Sequence, residues 1–323
     1  MLKLKRVLWM GLPLVLIAAL VSRYTVAQNE MPGWINKDDN WPAQKQRLQT
    51  FGERFKNSWD MYEHLKQAAR KGKNPTWTQM ADAAFDWSGV YTRSAGGLEF
   101  DPDLNGRQSK TTANLTPAGL AVVQRKAEQL RRTGGEYDPL SDCRPPGVPR
   151  WFSEPFLHEF IVTPNQTWLI GEMMNDIRRV YTDGRAHTPE DDAYPLQNGD
   201  TIGFWDGETL IAHTRYLTHG QYQRGVQPDT SEQTTVVERW RKVDSRTLQA
   251  DVWVFDTVNL STPWYTRQSW TKLTNDDTAL RIRYWDCREN SNNSIIKQGD
   301  GTSEFGTFDF EKTPQQQRPA KQP

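Results

Sequence analysis

The feature that most constrains this chain is the stretch from His158 to Cys287, where short runs rich in Trp, Tyr, Val and Ile alternate apolar with polar residues. Turn-forming residues cut these runs at close intervals: Pro164-Asn165, Asn175-Asp176, Asp183-Gly184, Asp206-Gly207, Asp244-Ser245-Arg246 and Asn275-Asp276-Asp277. Period-two alternation bounded by such residues predicts a β-meander. Asp206-Gly207 gives the clearest hairpin, because Gly accepts the positive φ of a type I′ turn between Thr201–Trp205 and Thr209–His213.

Both faces of these strands carry bulk. Leu248, Ala250, Val252 and Val254 share one face, while Asp251, Trp253 and Phe255 share the other. The split recurs as Leu280, Ile282 and Tyr284 against Arg281, Arg283 and Trp285, and as Tyr265 and Arg267 against Trp264, Thr266 and Trp270. An open sheet with one wet face would show polar residues alone on that face. A face mixing Arg, Asp, Trp and Tyr suggests a lumen lined for a ligand. The expected fold class is therefore mainly β: an antiparallel meander closed into a barrel, which also removes exposed edges, with flanking α-helices. The alternative is a water-exposed face with scattered aromatics.

Before the meander, Lys3, Lys5 and Arg6 precede an apolar run from Val7 to Val21 and a small-residue site at Thr25-Val26-Ala27, the pattern of a signal peptide over residues 1–27. An uncleaved anchor is the alternative, with Arg23 snorkelling. The arrangement predicted is an arm and amphipathic helix within 28–84, a barrel over 85–312 with a helix inserted at 116–133, and a disordered tail over 313–323. Leu48, Phe51, Phe55, Trp59, Tyr62, Leu65 and Ala69 recur at helical spacing and form a stripe read as packing. Thr116-Pro117 supplies an N-cap and first-turn proline, and Gly134-Gly135 a stop, for the inserted helix. Lys and Arg together equal Asp and Glu at 40 each, and no basic run is long enough to follow a phosphate backbone, so a nucleic-acid partner is not expected. The two cysteines, Cys143 and Cys287, both follow the leader, and in an oxidising compartment they favour a disulfide worth about 4 to 5 kcal/mol in the chain-entropy model. The leader pattern predicts export, to the periplasm or outside the cell, with no stable membrane span expected after processing.

Cys143-Arg-Pro-Pro-Gly-Val-Pro-Arg150 together with Arg178–His187, Gly203–Leu210, Val237–Asp244 and Tyr284–Asn290 resembles a family of secreted bacterial proteins of largely unassigned function, thought to be lipocalin-like or calycin-like barrels. The likeness covers residues 85 to 290. Gly89 followed by Tyr91 is similar to the first-strand Gly-x-aromatic of lipocalin-like barrels, with Tyr in place of Trp. The family brings no established catalytic residues, and its frequent loop histidine is absent from Val226–Thr230 here, while His213 and His219 are present.

Two clusters carry candidate chemistry. Asp183, Arg185 and His187 stand at a strand end, where a carboxylate, a guanidinium fork and an imidazole could meet a ligand; Asp183-Gly184 as a plain turn is the structural alternative. His213 and Arg215 share one face and lead into a loop with His219 and Tyr222. Lone histidines without ligand spacing give no metal site, and no cofactor motif occurs. The preferred function is binding of a small apolar or aromatic molecule in a cavity lined by Trp205, Arg215, Trp253, Tyr265, Arg267, Arg281, Arg283 and Trp285. A second reading is a metal-independent, cofactor-free lyase, isomerase or hydrolase using His187 or His213 as base, with Asp183, Arg185 or Tyr222 assisting. A third is a scaffold whose 48–69 stripe contacts a partner.

Overall fold

The structure is a computed structural model that describes residues 41–69, 76–80, 86–94, 114–134, 138–218, 220–222, 225–274, 282–287, 295–297 and 303–305. The predicted leader over residues 1–27, His219, Arg281, the turn predicted at Asn275–Asp277 and the predicted tail over 313–323 lie outside the described residues. Nine strands close into a barrel in chain order: β1 (Gly89–Arg93), β2 (His158–Val162), β3 (Gln166–Gly171), β4 (Asp176–Tyr181), β5 (Asp200–Asp206), β6 (Thr209–Arg215), β7 (Thr235–Lys242), β8 (Thr247–Phe255) and β9 (Trp264–Lys272). β9 returns to pair with β1. The Asp206-Gly207 hairpin forms as the sequence predicts, with Asp206 opposite Thr209. Pro164-Asn165 and Asp244–Arg246 likewise join β2 to β3 and β7 to β8.

The seam between β4 and β5 departs from the meander. These strands run parallel and are paired at Tyr181 and Ile202. Asp183-Gly184 therefore opens a long connection over residues 182–199 and does not close a hairpin, because a parallel neighbour cannot be reached by a two-residue turn. The sequence also places Ile282, Tyr284 and Trp285 on a barrel strand, but residues 282–287 form no strand. They pass outside the end of the barrel, where Trp285 N–H donates to Asn175 and its ring meets Phe156 at 4.9 Å.

The faces are inverted relative to the sequence reading. Leu248, Ala250, Val252 and Val254 of β8 face inward, opposite Trp270, Gln268, Thr266 and Trp264 of β9. The small side chains leave room for large ones, and Trp87, Trp151, Phe152, Phe160, Trp240 and Trp270 fill the interior. Trp151 and Phe152 arrive from a 3-10 turn, Arg150–Ser153, that plugs one end. Arg150 anchors that plug with charge-assisted bonds to Asp138 at 2.7 Å and Glu154 at 2.6 Å. The Cys143–Cys287 disulfide forms across 144 residues beside it.

The mixed face of Asp251, Trp253, Tyr265 and Arg267 is the outer one, covered by helices. α1 (Trp41–Glu53) and α2 (Ser58–Ala68) lay Leu48, Phe51, Met61, Tyr62 and Leu65 over Val237, Trp253 and Tyr265. The single helix suggested by the aromatic stripe breaks because Asn57 adopts extended backbone, φ −149°, and caps α2 by accepting from Asp60 N–H at 2.8 Å. Trp253 Nε1 donates to Leu48 C=O at 2.9 Å, and Gly52 allows the close approach, since a Cβ there would stand 2.5 Å from Trp253 Cδ1. α3 (Pro117–Thr133) has the expected Thr116 cap, first-turn proline and left-handed Gly134 stop.

Candidate functional site

Two features meet at the β4–β5 seam. The first is a cleft of about 550 Å³ between β4, the 182–199 connection and the start of β5. Because β4 lacks a continuous neighbour on this side, its edge is answered by a side chain: Asn198 Nδ2 donates to Asp176 Oδ1 and, at 3.4 Å, to Ile177 C=O. Arg178, Asn198, Thr201 and Tyr216 line the cleft deeply, while Ile177, Tyr194 and Leu196 stand at its mouth, 45%, 68% and 44% exposed.

One residue of that floor, Arg178, forms an ion pair inside the barrel. Arg178 donates to both Glu238 oxygens, with Nη1 to Oε2 at 2.8 Å, and also to Thr214 at 2.6 Å and Thr201 at 3.3 Å. Trp240 Nε1 donates to the same Glu238 oxygen at 2.8 Å. A buried pair is favoured when its remaining lone pairs and protons are also met; these neighbours answer both terminal nitrogens of Arg178 but not its Nε.

The second feature is a chain of hydrogen bonds starting at the cleft's rim. Asp200 Oδ2 accepts Thr188 N–H at 2.7 Å and bonds His187 Nδ1 at 2.9 Å. His187 Nε2 lies 2.7 Å from His213 Nδ1, and His213 Nε2 lies 2.9 Å from Ser58 Oγ, which donates to Thr235 at 2.7 Å. Three ring N–H groups satisfy every link, one from His187 Nδ1 to Asp200, one from His213 Nε2 to Ser58, which donates on to Thr235, and one between the two rings. A fourth would set N–H against N–H between the rings. Burial, with His187 and Arg215 adding charge repulsion, pushes His213 down to about 3. Burial opposes ionisation of Asp200, but the bonds from His187 and Thr188 hold it below its ordinary value. Trp59, 43% exposed, covers His213 edge-on at 5.3 Å. This geometry can store and relay a proton, and it ties α2 to β6, β7 and the 182–199 connection.

The residues singled out from the sequence divide accordingly. His187 and His213 are brought together, but Asp183 and Arg185 turn from them: they pair with each other, Nη2 to Oδ2 at 2.6 Å, with the guanidinium 3.9 Å above the Tyr181 ring. Arg185 lines the cleft even so. Tyr222 does not join the histidines. It stacks on Trp264 at 5.9 Å and donates at 2.7 Å to Asp256, a loop-fastening carboxylate, so burial and that neighbour push its pKa up. Trp205 faces inward but is packed against Trp87 at 5.8 Å. Trp253, Tyr265 and Arg267 line no lumen, because they lie beneath the helices, where Arg267 and Arg239 clamp Asp251 at 2.6 and 2.5 Å. The two arginines outweigh burial and keep Asp251 below its ordinary value. Arg215 reaches Thr188 C=O at 3.3 Å on the outer face. Arg283 lies at the barrel's end, its N–H donating to Glu172 at 3.1 Å.

Ser58, Asp200 and Asn198 escaped the sequence reading, Arg178 and Glu238 entered it only as motif residues without a role, and Tyr216 only as a member of the His213-Thr-Arg215-Tyr216 run. The available signal was the inward phase of β4, which places Arg178 between Asp176 and Val180 on the buried side. Among the described residues no cluster of His, Cys, Asp and Glu has metal-holding geometry, and no helix is long and apolar enough to cross a membrane.

No family model and no curated protein matches this chain. Among solved structures, a secretary abundant heat soluble (SAHS) protein from Ramazzottius varieornatus matches at 12% identity and a TM-score of 0.27, covering 64% of this chain and 99% of that one. The architecture rests on the strand pairing above: a mainly β chain whose nine strands close into a barrel flanked by helices.

Proposed function

We propose that this barrel binds a small apolar or aromatic molecule, and that the binding place is the cleft in the wall at the β4–β5 seam. The interior is occupied by its own tryptophans, so a lumenal ligand would have to displace packed rings. The observation that carries the reading is the cleft itself: about 550 Å³, inside the usual range for small-molecule sites, with Ile177, Tyr194 and Leu196 exposed at its mouth over a polar floor. Export to a periplasmic or extracellular compartment fits the disulfide. The test is titration with N-phenyl-1-naphthylamine. Saturable binding that is lost in Ile177→Glu, a change at an exposed position, supports the site; binding untouched by that change rejects it.

A second reading is a metal-independent acid/base enzyme acting on the same kind of molecule. It is favoured by the Asp200–His187–His213–Ser58 chain, which begins at the cleft's rim. A substrate screen in which His187→Ala abolishes turnover while leaving thermal unfolding unchanged supports it; equal turnover in the variant rejects it.

A further inference from the structure

The floor of the cleft carries hydrogen-bonding atoms that no protein group answers. Arg178 is 1% exposed and commits both terminal nitrogens, yet its Nε has no protein acceptor. Tyr216 Oη and Asn198 Oδ1, on side chains lining the same cleft, are also buried without a protein partner. Native proteins leave few such atoms, and three of them on side chains lining one cleft point to a place where a ligand completes the set.

Their chemistry limits that ligand. Arg178 Nε can only donate, and Asn198 Oδ1 can only accept, since the bond of its Nδ2 to Asp176 fixes the amide's orientation. Tyr216 Oη can do either. The partner must therefore offer both an acceptor and a donor. Charge narrows it further. Arg178 is neutralised by Glu238 and Arg185 by Asp183, while Asp192 and Asp200 face a single cation, Arg179, at the rim. The Asp176 carboxyl behind the floor opposes an anion, and burial raises its pKa to about 6. An uncharged head is therefore favoured over a carboxylate.

We infer that the floor formed by Arg178, Asn198 and Tyr216 is a subsite for an uncharged donor–acceptor head, a primary carboxamide, carried on the apolar or aromatic body that the mouth of the cleft receives. This rests on the proposed binding role of the cleft. The experiment is competition against N-phenyl-1-naphthylamine by three matched probes: 2-naphthamide, 2-naphthoate and 2-methylnaphthalene. The amide should bind about tenfold more tightly than either of the others, the scale set by a buried hydrogen bond that is made or left unmade. Tyr216→Phe, which removes one oxygen, and Asn198→Ala should each narrow the gap between amide and hydrocarbon, with near-ultraviolet circular dichroism confirming the fold. Equal affinity for amide and hydrocarbon would overturn the inference and leave the binding role standing. Strongest binding by naphthoate would overturn it in favour of an anion site. Failure of all three probes and of the dye would remove the binding role with it.

Discussion

Replacing Glu238 by Gln keeps the shape of the side chain and removes its charge, leaving the Arg178 guanidinium inside the barrel without a counterion. Arg178 and Glu238 are 1% and 0% exposed at their side chains, so water cannot screen the loss. Trp240 Nε1 and Thr214 also depend on that carboxylate. Breaking a buried pair from one side costs about 3–5 kcal/mol, against a total stability on the order of 5–15 kcal/mol. With a urea slope of about 2–3 kcal/mol per M, the midpoint should fall by roughly 1–2 M. Unfolding is followed by intrinsic fluorescence from the chain's 14 tryptophans. The double variant Arg178→Met, Glu238→Leu removes both charges and should recover to within about 2 kcal/mol of the parent, because apolar replacement of a whole pair is close to neutral. A shift below about 0.3 M for Glu238→Gln, well under the penalty for an unpaired buried charge, would refute the reasoning. It would mean that water reaches the interior and that the lumen, after all, has room for a ligand.

Three further outcomes follow from named contacts. Reduction of Cys143–Cys287, which closes a 144-residue separation, should lower the thermal midpoint by an amount corresponding to at most about 5 kcal/mol; an unchanged midpoint under dithiothreitol would show the loop constrained by other means. His158 and His213 have folded pKa values near 4 and 3 against an ordinary 6.5, so unfolding takes up protons and stability falls as pH drops below about 6.5; Asp176, raised from 3.8 to about 6, partly offsets this between about 6 and 4. Comparing urea midpoints at pH 7 and pH 5, His213→Gln should lessen the acid loss, and an unaltered slope would count against a neutral buried His213. Gly52→Ala should destabilise by about 1–3 kcal/mol by pushing its new methyl into Trp253, read as a lower urea midpoint; a neutral result would mean that α1 does not press on the barrel as described.

How much was legible in the sequence can be traced residue by residue. Asp206-Gly207, Asp244–Arg246 and the Thr116-Pro117 start are local signals, each enforced by backbone geometry within a few positions, and all three form. Inside and outside are decided by long-range competition. The Asp251, Trp253, Phe255 face resembles a binding surface because it is polar and aromatic at once, but Arg239 and Arg267 neutralise Asp251 and the amphipathic stripe of α1 and α2 seals Trp253. The same stripe could not be assigned a face to cover until the barrel was closed. Ser58 and His213 stand 155 positions apart, and no periodicity within one chain segment reports such a meeting. The parallel β4–β5 seam was hidden for a related reason: Asp183-Gly184 carries hairpin residues, and only the register on either side reveals that the chain continues past them.

That seam separates two jobs that barrels of filled interior would otherwise have to combine. Eight of the nine wall contacts are antiparallel ladders with their rings and ion pair behind them, whereas β4 meets β5 through one residue pair and borrowed side chains. Substitutions along residues 182–199 can thus reshape what the wall admits without disturbing the tryptophan stack that keeps the barrel upright. On the binding role proposed for the cleft, a lineage of such proteins could change its ligand by editing a single hem.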